Sequence, residues 1–564
     1  MLASLISLAC GIVVPRVMMS AIDQALDKQT ETLGFFVLLI AGLGLVRGIA
    51  GFFSRQALFG VAYAIENDLR VILYEHLSRL SFSFYDRVQS GQLISRANSD
   101  IRTVQMFLTF GPLISLTVLS FLGAIGLMAS VSIPLTLFAI LPLPFVGILG
   151  ARLGRLSFPI SWIVQARLAD LATNVEENLS GVRVVKGFAA ERGQIESFAQ
   201  TARRLEWINV HQARVQGQLA PLIEAMPRLG MAMVLLVGGW LTLDGSLTIG
   251  AIVAFTTYVV MLQAPFRMFG FFLMMVQRAA ASALRIYEVL DEKPEIQDRP
   301  GATDLTELHG TISFRDVTFS YGDGAAVLND FDLEVPAGQS IALVGKTGSG
   351  KSTVARLLAR FYDVDRGSVA IDGKDVRDLT LTSVRAHVGL VADEPFLFTA
   401  SVRDNIAYAR PDASREEVEA AARAAGASAF IENLKDGYDS VIGERGYDLS
   451  GGQRQRISIA RSLLANPRIL VLDDATSAVD VHVEQSIHEA LGRLLESRTT
   501  IVIAHRLSTI TLADRVVLLE DGKVVADGTH ASLMRTEPRY AEVLAHMGDA
   551  PESEEEEAAT EVTS

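Results

Sequence analysis

The chain runs to 564 residues, half of them hydrophobic, with a formal charge of −14 and one cysteine. That length exceeds one compact core and requires at least two domains, the apolar share is too high for a soluble enzyme of this size, and no basic run points to nucleic acid. Cys10, alone in an apolar stretch, leaves no disulfide framework and no thiolate metal site.

The apolar residues concentrate before about residue 285, which predicts a membrane domain followed by a soluble one. Six spans are expected, at 2–26, 33–74, 104–130, 133–166, 216–243 and 249–287. Several exceed the roughly twenty residues that cross a bilayer, so their ends must project beyond it. The first has neither a basic n-region nor a cleavage site and reads as a span rather than a signal peptide. The short connections near Asp27, Ser132 and Asp244 carry only Lys28, whereas the segments at and after the far ends of spans two and four carry Arg70, Arg79, Arg87, Arg96, Arg102, Arg167, Arg183, Lys186, Arg192, Arg203 and Arg204. The positive-inside rule puts these long polar segments, and the soluble domain, in the cytoplasm of a multi-pass inner-membrane protein.

Some ionisable residues fall at membrane depth. Arg16 lies about 15 Å, and Arg47 about 21 Å, from the outer ends of spans one and two at 1.5 Å per residue. Glu224 and Arg228 are one turn apart on span five, positioned to pair. Charges at that depth face protein or a water-filled cavity. With Phe266 and Met268 of the adaptable, Phe- and Met-rich span six, they form a candidate substrate cavity. A structural pair, snorkelling side chains and lipid-facing packing account for the same residues.

Four regions follow: a transmembrane domain over 1–290, a polar, Pro- and Gly-punctuated linker over 291–309, a nucleotide-binding domain over 310–547, and an acidic tail over 548–564 expected to be solvated and disordered. In the third, Ile341-Ala342-Leu343-Val344 reads as a buried strand and Val354-Ala355-Arg356-Leu357-Leu358 as a helix. Between them runs Gly345-Lys346-Thr347-Gly348-Ser349-Gly350-Lys351-Ser352-Thr353, the G-x-x-x-x-G-K-[ST] pattern in its required context. Glycines let successive N–H groups point inward as a nest, and the helix N-terminus adds positive partial charge, so phosphates belong there. Lys351 would reach the terminal phosphates and Ser352 would hold magnesium. Two later apolar strands end in Asp473 and His505. The ligand crevice of an open parallel α/β sheet lies at the carboxyl ends of its strands, which suits Asp473 to magnesium and His505 to the γ-phosphate.

Leu449-Ser450-Gly451-Gly452-Gln453-Arg454-Gln455-Arg456 is a second glycine- and serine-rich anion-binding element ahead of a helix, and one triphosphate does not need two. With it the sequence resembles the ABC transporters and, over nearly its whole length, the type IV exporter half-transporters. The resemblance implies an all-α six-helix transmembrane domain followed by a cytoplasmic α/β P-loop domain, with ATP and Mg²⁺ as cofactors. It makes Leu449 to Gln453 the signature, Ser477-Ala478-Val479-Asp480 the D-loop with Asp480, His505 the switch histidine, Tyr321 the aromatic that stacks on adenine, and Gly443-Glu444-Arg445-Gly446 the X-loop. Ser83-Phe84-Tyr85-Asp86 and Glu176-Glu177-Asn178-Leu179-Ser180-Gly181 look like the cytoplasmic coupling regions. Each ATP would lie between one chain's phosphate loop and a second chain's signature.

Two positions depart from the family pattern. The residue after the Walker B aspartate is Asp474 where the family has a catalytic glutamate, and Asp393 stands where it has the Q-loop glutamine that reaches magnesium and water. A carboxylate withdrawn by about one methylene forfeits on the order of 10² to 10⁴ in general-base catalysis. The pattern resembles the degenerate subunit of heterodimeric bacterial exporters. A homologous, non-identical partner would supply the glutamate, and this chain's intact signature would complete the partner's site. The expected cargo is an amphipathic small molecule, a drug or lipid. An importer built on the same fold, for instance for a metal chelate, and an ATP-gated channel or regulator remain the alternatives.

Overall fold

The computed structural model describes residues 2–27, 32–306, 308–393, 395–443, 446, 448–473, 492, 495, 498–504 and 506–548, with the backbone alone at 27, 264, 266–271 and 546–548. Asp474, Asp480, His505 and the acidic tail beyond 548 lie outside the described residues, as do Glu444 and Arg445. The chain forms two compact units, one of residues 1–78 with 91–292, the other of residues 79–90 with 293–564.

The first unit is helical. It contains α1 (Leu2–Ser20) with a π-helical turn at Ala21–Asp27, and α2 (Leu33–Arg79), which leads into the second unit. After α3 (Phe82–Arg87), which belongs to that other unit, come α4 (Ser90–Ser95), α5 (Ile101–Val131), α6 (Ile133–Ile140), α7 (Leu143–Ser180), α8 (Val182–Gly187), α9 (Glu191–Leu243), α10 (Ile249–Met261) and α11 (Gln263–Leu290). Among the described residues, five helical stretches are long and apolar enough to cross a membrane: Leu2–Leu26, Leu33–Arg79, Ser90–Val131, Ile133–Ser180 and Glu191–Leu243.

The expected sixth span is not one continuous helix but α10 and α11, broken at Leu262. Pro265 explains the break: it has no N–H to donate to the Met261 carbonyl, yet is tolerated in the first turn of α11. Ser132 and Thr248 cap α6 and α10 through their side-chain oxygens. The Asp23 carboxylate accepts from Thr248 Oγ1 at 2.7 Å and from the Gly250 N–H at 3.0 Å. A Cβ at Gly250 would sit 2.4 Å from the Met19 carbonyl oxygen, so only glycine lets α1 and α10 approach here. Ile12, Ala124, Met128, Leu135, Val234, Phe255 and Tyr258 form the core of the unit. Toward the other end, buried Asp100 accepts from Ser282 Oγ at 2.8 Å and Arg285 Nε at 2.9 Å, tying α5 to α11.

The second unit is α/β. Its strands are β1 (Ile312–Ser320), β2 (Ala326–Val335), β3 (Ser340–Val344), β4 (Arg366–Ile371), β5 (Lys374–Asp375), β6 (Val388–Val391), β7 (Ile469–Asp473), β8 (Thr499–Ile503), β9 (Arg515–Glu520) and β10 (Lys523–Gly528). One sheet runs β2-β1-β4-β5 and is antiparallel. The other runs β10-β9-β3-β8-β7-β6, with β9 to β6 parallel and β10 antiparallel at the edge. Alternation along its strands feeds two cores. Ile341, Leu343, Val471 and Ile503 face α12 (Lys351–Leu358) through Val354 and Leu357, whereas Ala342, Val344, Leu472 and Val502 face a helical layer. That layer holds α14 (Val402–Ile406), α15 (Arg415–Ala424), α16 (Ser428–Glu432) and α17 (Gly451–Ala465); α13 (Leu381–His387) precedes β6. The expected class therefore holds, a helical membrane domain followed by an α/β domain.

Candidate nucleotide site

The phosphate loop joins β3 to α12 at the carboxyl end of the parallel sheet. Its outer rim, Lys346, Thr347 and Gly348, is exposed, and its floor, Gly345, Ser349, Gly350 and Lys351, is buried. Two glycines are dictated by space. A Cβ at Gly345 would meet the Leu519 carbonyl oxygen at 2.2 Å, and one at Gly350, where φ is +101°, would meet Leu328 at 2.7 Å. Lys351 Nζ curls back to donate to the Gly345 carbonyl at 2.6 Å and the Lys346 carbonyl at 3.0 Å, holding its charge over the loop. The buried Ser349 Oγ has no hydrogen-bond partner. A cradle with an orphan hydroxyl, an ammonium and a helix N-terminus suits a polyphosphate.

Ser352 Oγ and Asp473 Oδ1 come within 3.4 Å across the crevice. A hydroxyl and a carboxylate are the hard oxygen donors that Mg²⁺ takes alongside nucleotide oxygens, so these residues fit the ion. Asp393 follows β6, whose Val391 pairs with Leu472 just before Asp473, which puts it at the same sheet end and exposed. Tyr321 follows β1; its hydroxyl lies 3.1 Å from Thr353 Oγ1 and accepts from Arg356 Nη1 at 3.2 Å. Arg356 escapes notice in the sequence because it reads only as a polar position of the helix, and it meets Tyr321 only through tertiary packing.

The signature stretch is built differently. Ser450 caps α17, with its Oγ accepting from the Gln453 N–H at 3.3 Å and its own N–H donating to Gln453 Oε1 at 2.8 Å. This reciprocal capping box leaves the helix N-terminus presented at an exposed serine, with Leu449 and Gly452 buried behind it. Because α12 and α17 belong to cores on opposite faces of the sheet, the two anion-binding elements are separately anchored.

In the membrane unit, Arg16 Nη1 is buried without a hydrogen-bond partner. Arg47 lies against α1, its guanidinium 3.3 Å from where a Gly11 Cβ would be. Arg47 and Arg55 line a groove of about 560 Å³ with Ser7, Gly44, Gly48 and Gly51. Glu224 and Arg228 do not make the expected ion pair; both are exposed on α9, where a surface pair gains little. Phe266 and Met268 lie on α11, with side chains outside the described residues.

The family model of the ABC transporter transmembrane region matches residues 1–266, and a second family model, described as ABC transporter, matches residues 328–477. An "ATP-dependent lipid A-core flippase" of Desulfotalea psychrophila is 38% identical over 519 residues, covering 91% of this chain and 90% of that protein. The chain belongs to the ABC transporter family. It is a multi-pass inner-membrane ABC protein with its nucleotide-binding domain on the cytoplasmic side. A solved bacterial Atm1-family ABC exporter with ATP bound superimposes with a TM-score of 0.78 at 30% identity, covering 98% of this chain and 97% of that one. A "Multidrug efflux ATP-binding/permease protein" of Mycobacterium bovis is 37% identical over 551 residues, which is 97% of this chain but 46% of that protein. The chain thus spans about half the length of its mycobacterial relatives.

Proposed function

We propose that this chain is one half of an ATP-driven exporter that moves amphipathic small molecules, drugs or lipids, out of the cytoplasmic leaflet by alternating access. The observation that carries the reading is the pairing of a complete phosphate cradle with a signature helix held on the opposite face of the same sheet. A nucleotide on Lys351 and Ser352 then needs a signature from elsewhere, and Ser450, Gly452 and Gln453 are offered to another cradle. The names of the relatives, a multidrug efflux protein and a lipid A-core flippase, support the cargo class. This chain fills 46% of the mycobacterial relative, which leaves room there for a second half of the same size. In the single chain Val184 and Phe188, around α8, are 62% and 82% exposed, as befits a coupling segment that docks on a second chain.

Within that dimer Tyr321 stacks on adenine and residues 345–353 hold the phosphates; Ser352, Asp473 and Asp393 would hold magnesium, which would supply charge neutralisation of the phosphates. Asp474 is the general base, shortened by one methylene, and His505 contacts the γ-phosphate. The site on this chain binds ATP and turns it over slowly, while a homologous, non-identical partner with a glutamate at the corresponding position carries most of the hydrolysis. Arg16, Arg47, Glu224, Arg228, Phe266 and Met268 line the path of the cargo. The test is ATP turnover of the purified complex. Replacing the partner's glutamate by glutamine removes nearly all activity, and Asp474→Glu raises what remains. Substantial turnover after loss of the partner's glutamate would overturn the division of labour.

A further inference from the structure

Residues 79–90, the connection between membrane helices α2 and α5, pack as part of the nucleotide unit. The Phe82 ring stacks on Phe361 with centroids 4.2 Å apart. Ser81 Oγ accepts from the Ile296 N–H at 2.9 Å, and Ser83 donates to Glu295. These contacts hold α3 in place. One further contact leads elsewhere: the Tyr362 hydroxyl donates to the Asp86 carboxylate. The Tyr362 ring in turn meets Tyr321 edge-on, centroids 5.2 Å apart and planes at 88°, and both pack against Phe319. Tyr321 is fixed at its hydroxyl by Thr353 and Arg356, both on the helix that carries Lys351 and Ser352. Burial first, then the hydrogen bond to the Asp86 carboxylate, push the Tyr362 phenol far above its ordinary range, so it stays a donor at physiological pH.

We propose that Tyr362 is a positioning residue that relays occupancy of the base site at Tyr321 to Asp86 in α3. The proposal rests on the reading of Tyr321 as the adenine-facing aromatic. A base stacked on Tyr321 fixes its ring plane. Edge-to-face contacts are directional because the ring edge is positive and the face negative, so a fixed Tyr321 narrows the orientations open to Tyr362. That holds the phenol on Asp86 and orders α3, whose chain continues directly into α2 on one side and α4 on the other. The message is a gain of order, which amide exchange reads directly. A polyphosphate without a base fills the cradle and leaves the relay silent.

Full-length protein with its copurifying partner, in lipid nanodiscs, is followed by hydrogen–deuterium exchange of the peptide covering residues 80–90 of this chain. Saturating AMP-PNP with Mg²⁺ slows exchange across 82–87 by about threefold or more, and inorganic tripolyphosphate with Mg²⁺ does not. Tyr362→Phe keeps the ring and abolishes the slowing, while the Kd for AMP-PNP stays within about twofold. Asp86→Ala does the same, and Asp86→Asn, which retains an oxygen acceptor, keeps most of the effect. Undiminished slowing in Tyr362→Phe, or equal slowing by tripolyphosphate, overturns the relay. Tyr321→Ala separates the two levels: if it binds AMP-PNP as tightly as the wild type, the base-stacking reading fails and takes the relay with it. If it binds weakly while Tyr362→Phe still shows slowing, only the relay fails.

Discussion

Gly345→Ala and Gly348→Ala differ in a way that the phosphate loop predicts. At Gly345 a methyl would lie 2.2 Å from the Leu519 carbonyl oxygen, where an ordinary contact is 3.4–4 Å, so a main-chain atom must retreat by more than about 1 Å. Strands β3 and β9, paired through Val344 and Leu518, are what that push separates. Overpacking of this kind costs about 1–3 kcal/mol, and the upper end applies because a carbonyl cannot rotate away as a side chain can. Gly348 has φ of +85° but nothing within 4 Å of its Cβ position. It loses only the conformational term, about 1–2 kcal/mol. If each strain is released when the loop deforms away from its phosphate-binding shape, affinity falls about 100-fold for Gly345→Ala and about 5- to 30-fold for Gly348→Ala. Titration of AMP-PNP into the nanodisc-embedded complex, scored at this chain's site, measures both. Wild-type affinity in Gly345→Ala, or a larger loss in Gly348→Ala, refutes the close-approach argument.

Asp473→Asn weakens the Mg²⁺ dependence of nucleotide binding by about tenfold or more while leaving metal-free binding near wild type, because only the carboxylate beside Ser352 is changed; a metal titration at fixed AMP-PNP reads this. Ser450→Ala removes the capping box of α17 and costs about 1 kcal/mol of stability. It lowers steady-state turnover without altering AMP-PNP affinity at this chain's own cradle, and an equal loss of that affinity would contradict the separate anchoring of the two elements. Asp100→Asn leaves Arg285 without its ionic partner and Ser282 with a weaker acceptor. With Asp100 buried and Arg285 half exposed, the cost is about 1–3 kcal/mol, visible as earlier loss of α5–α11 protection in hydrogen exchange.

The parts legible in the sequence are those whose signal is local. The phosphate loop declares itself because Gly345 to Thr353 are contiguous and flanked by a strand and a helix, and the spans because apolar length survives without any knowledge of packing. The break at Leu262 was hidden inside an apolar run, although Pro265 marks it once the lost hydrogen bond to Met261 is counted. The i, i+4 spacing of Glu224 and Arg228 promised a pair that the structure does not make: α9 is continuous through both, but both side chains are exposed, and spacing permits a surface pair without requiring it. Arg356 and Tyr362 were invisible for a different reason. Their roles depend on Tyr321, on another strand, and on Asp86, far earlier in the chain, and no periodicity encodes a contact across such separations.

The native mass of the complex, gently extracted from its own membrane through a tag on this chain, tests the half-transporter account most directly. The account predicts one copy of this chain with one copy of a homologous, non-identical chain that carries glutamate where this one has Asp474. A dimer of this chain alone would place aspartate in both sites and contradict the assignment of one slow and one fast site.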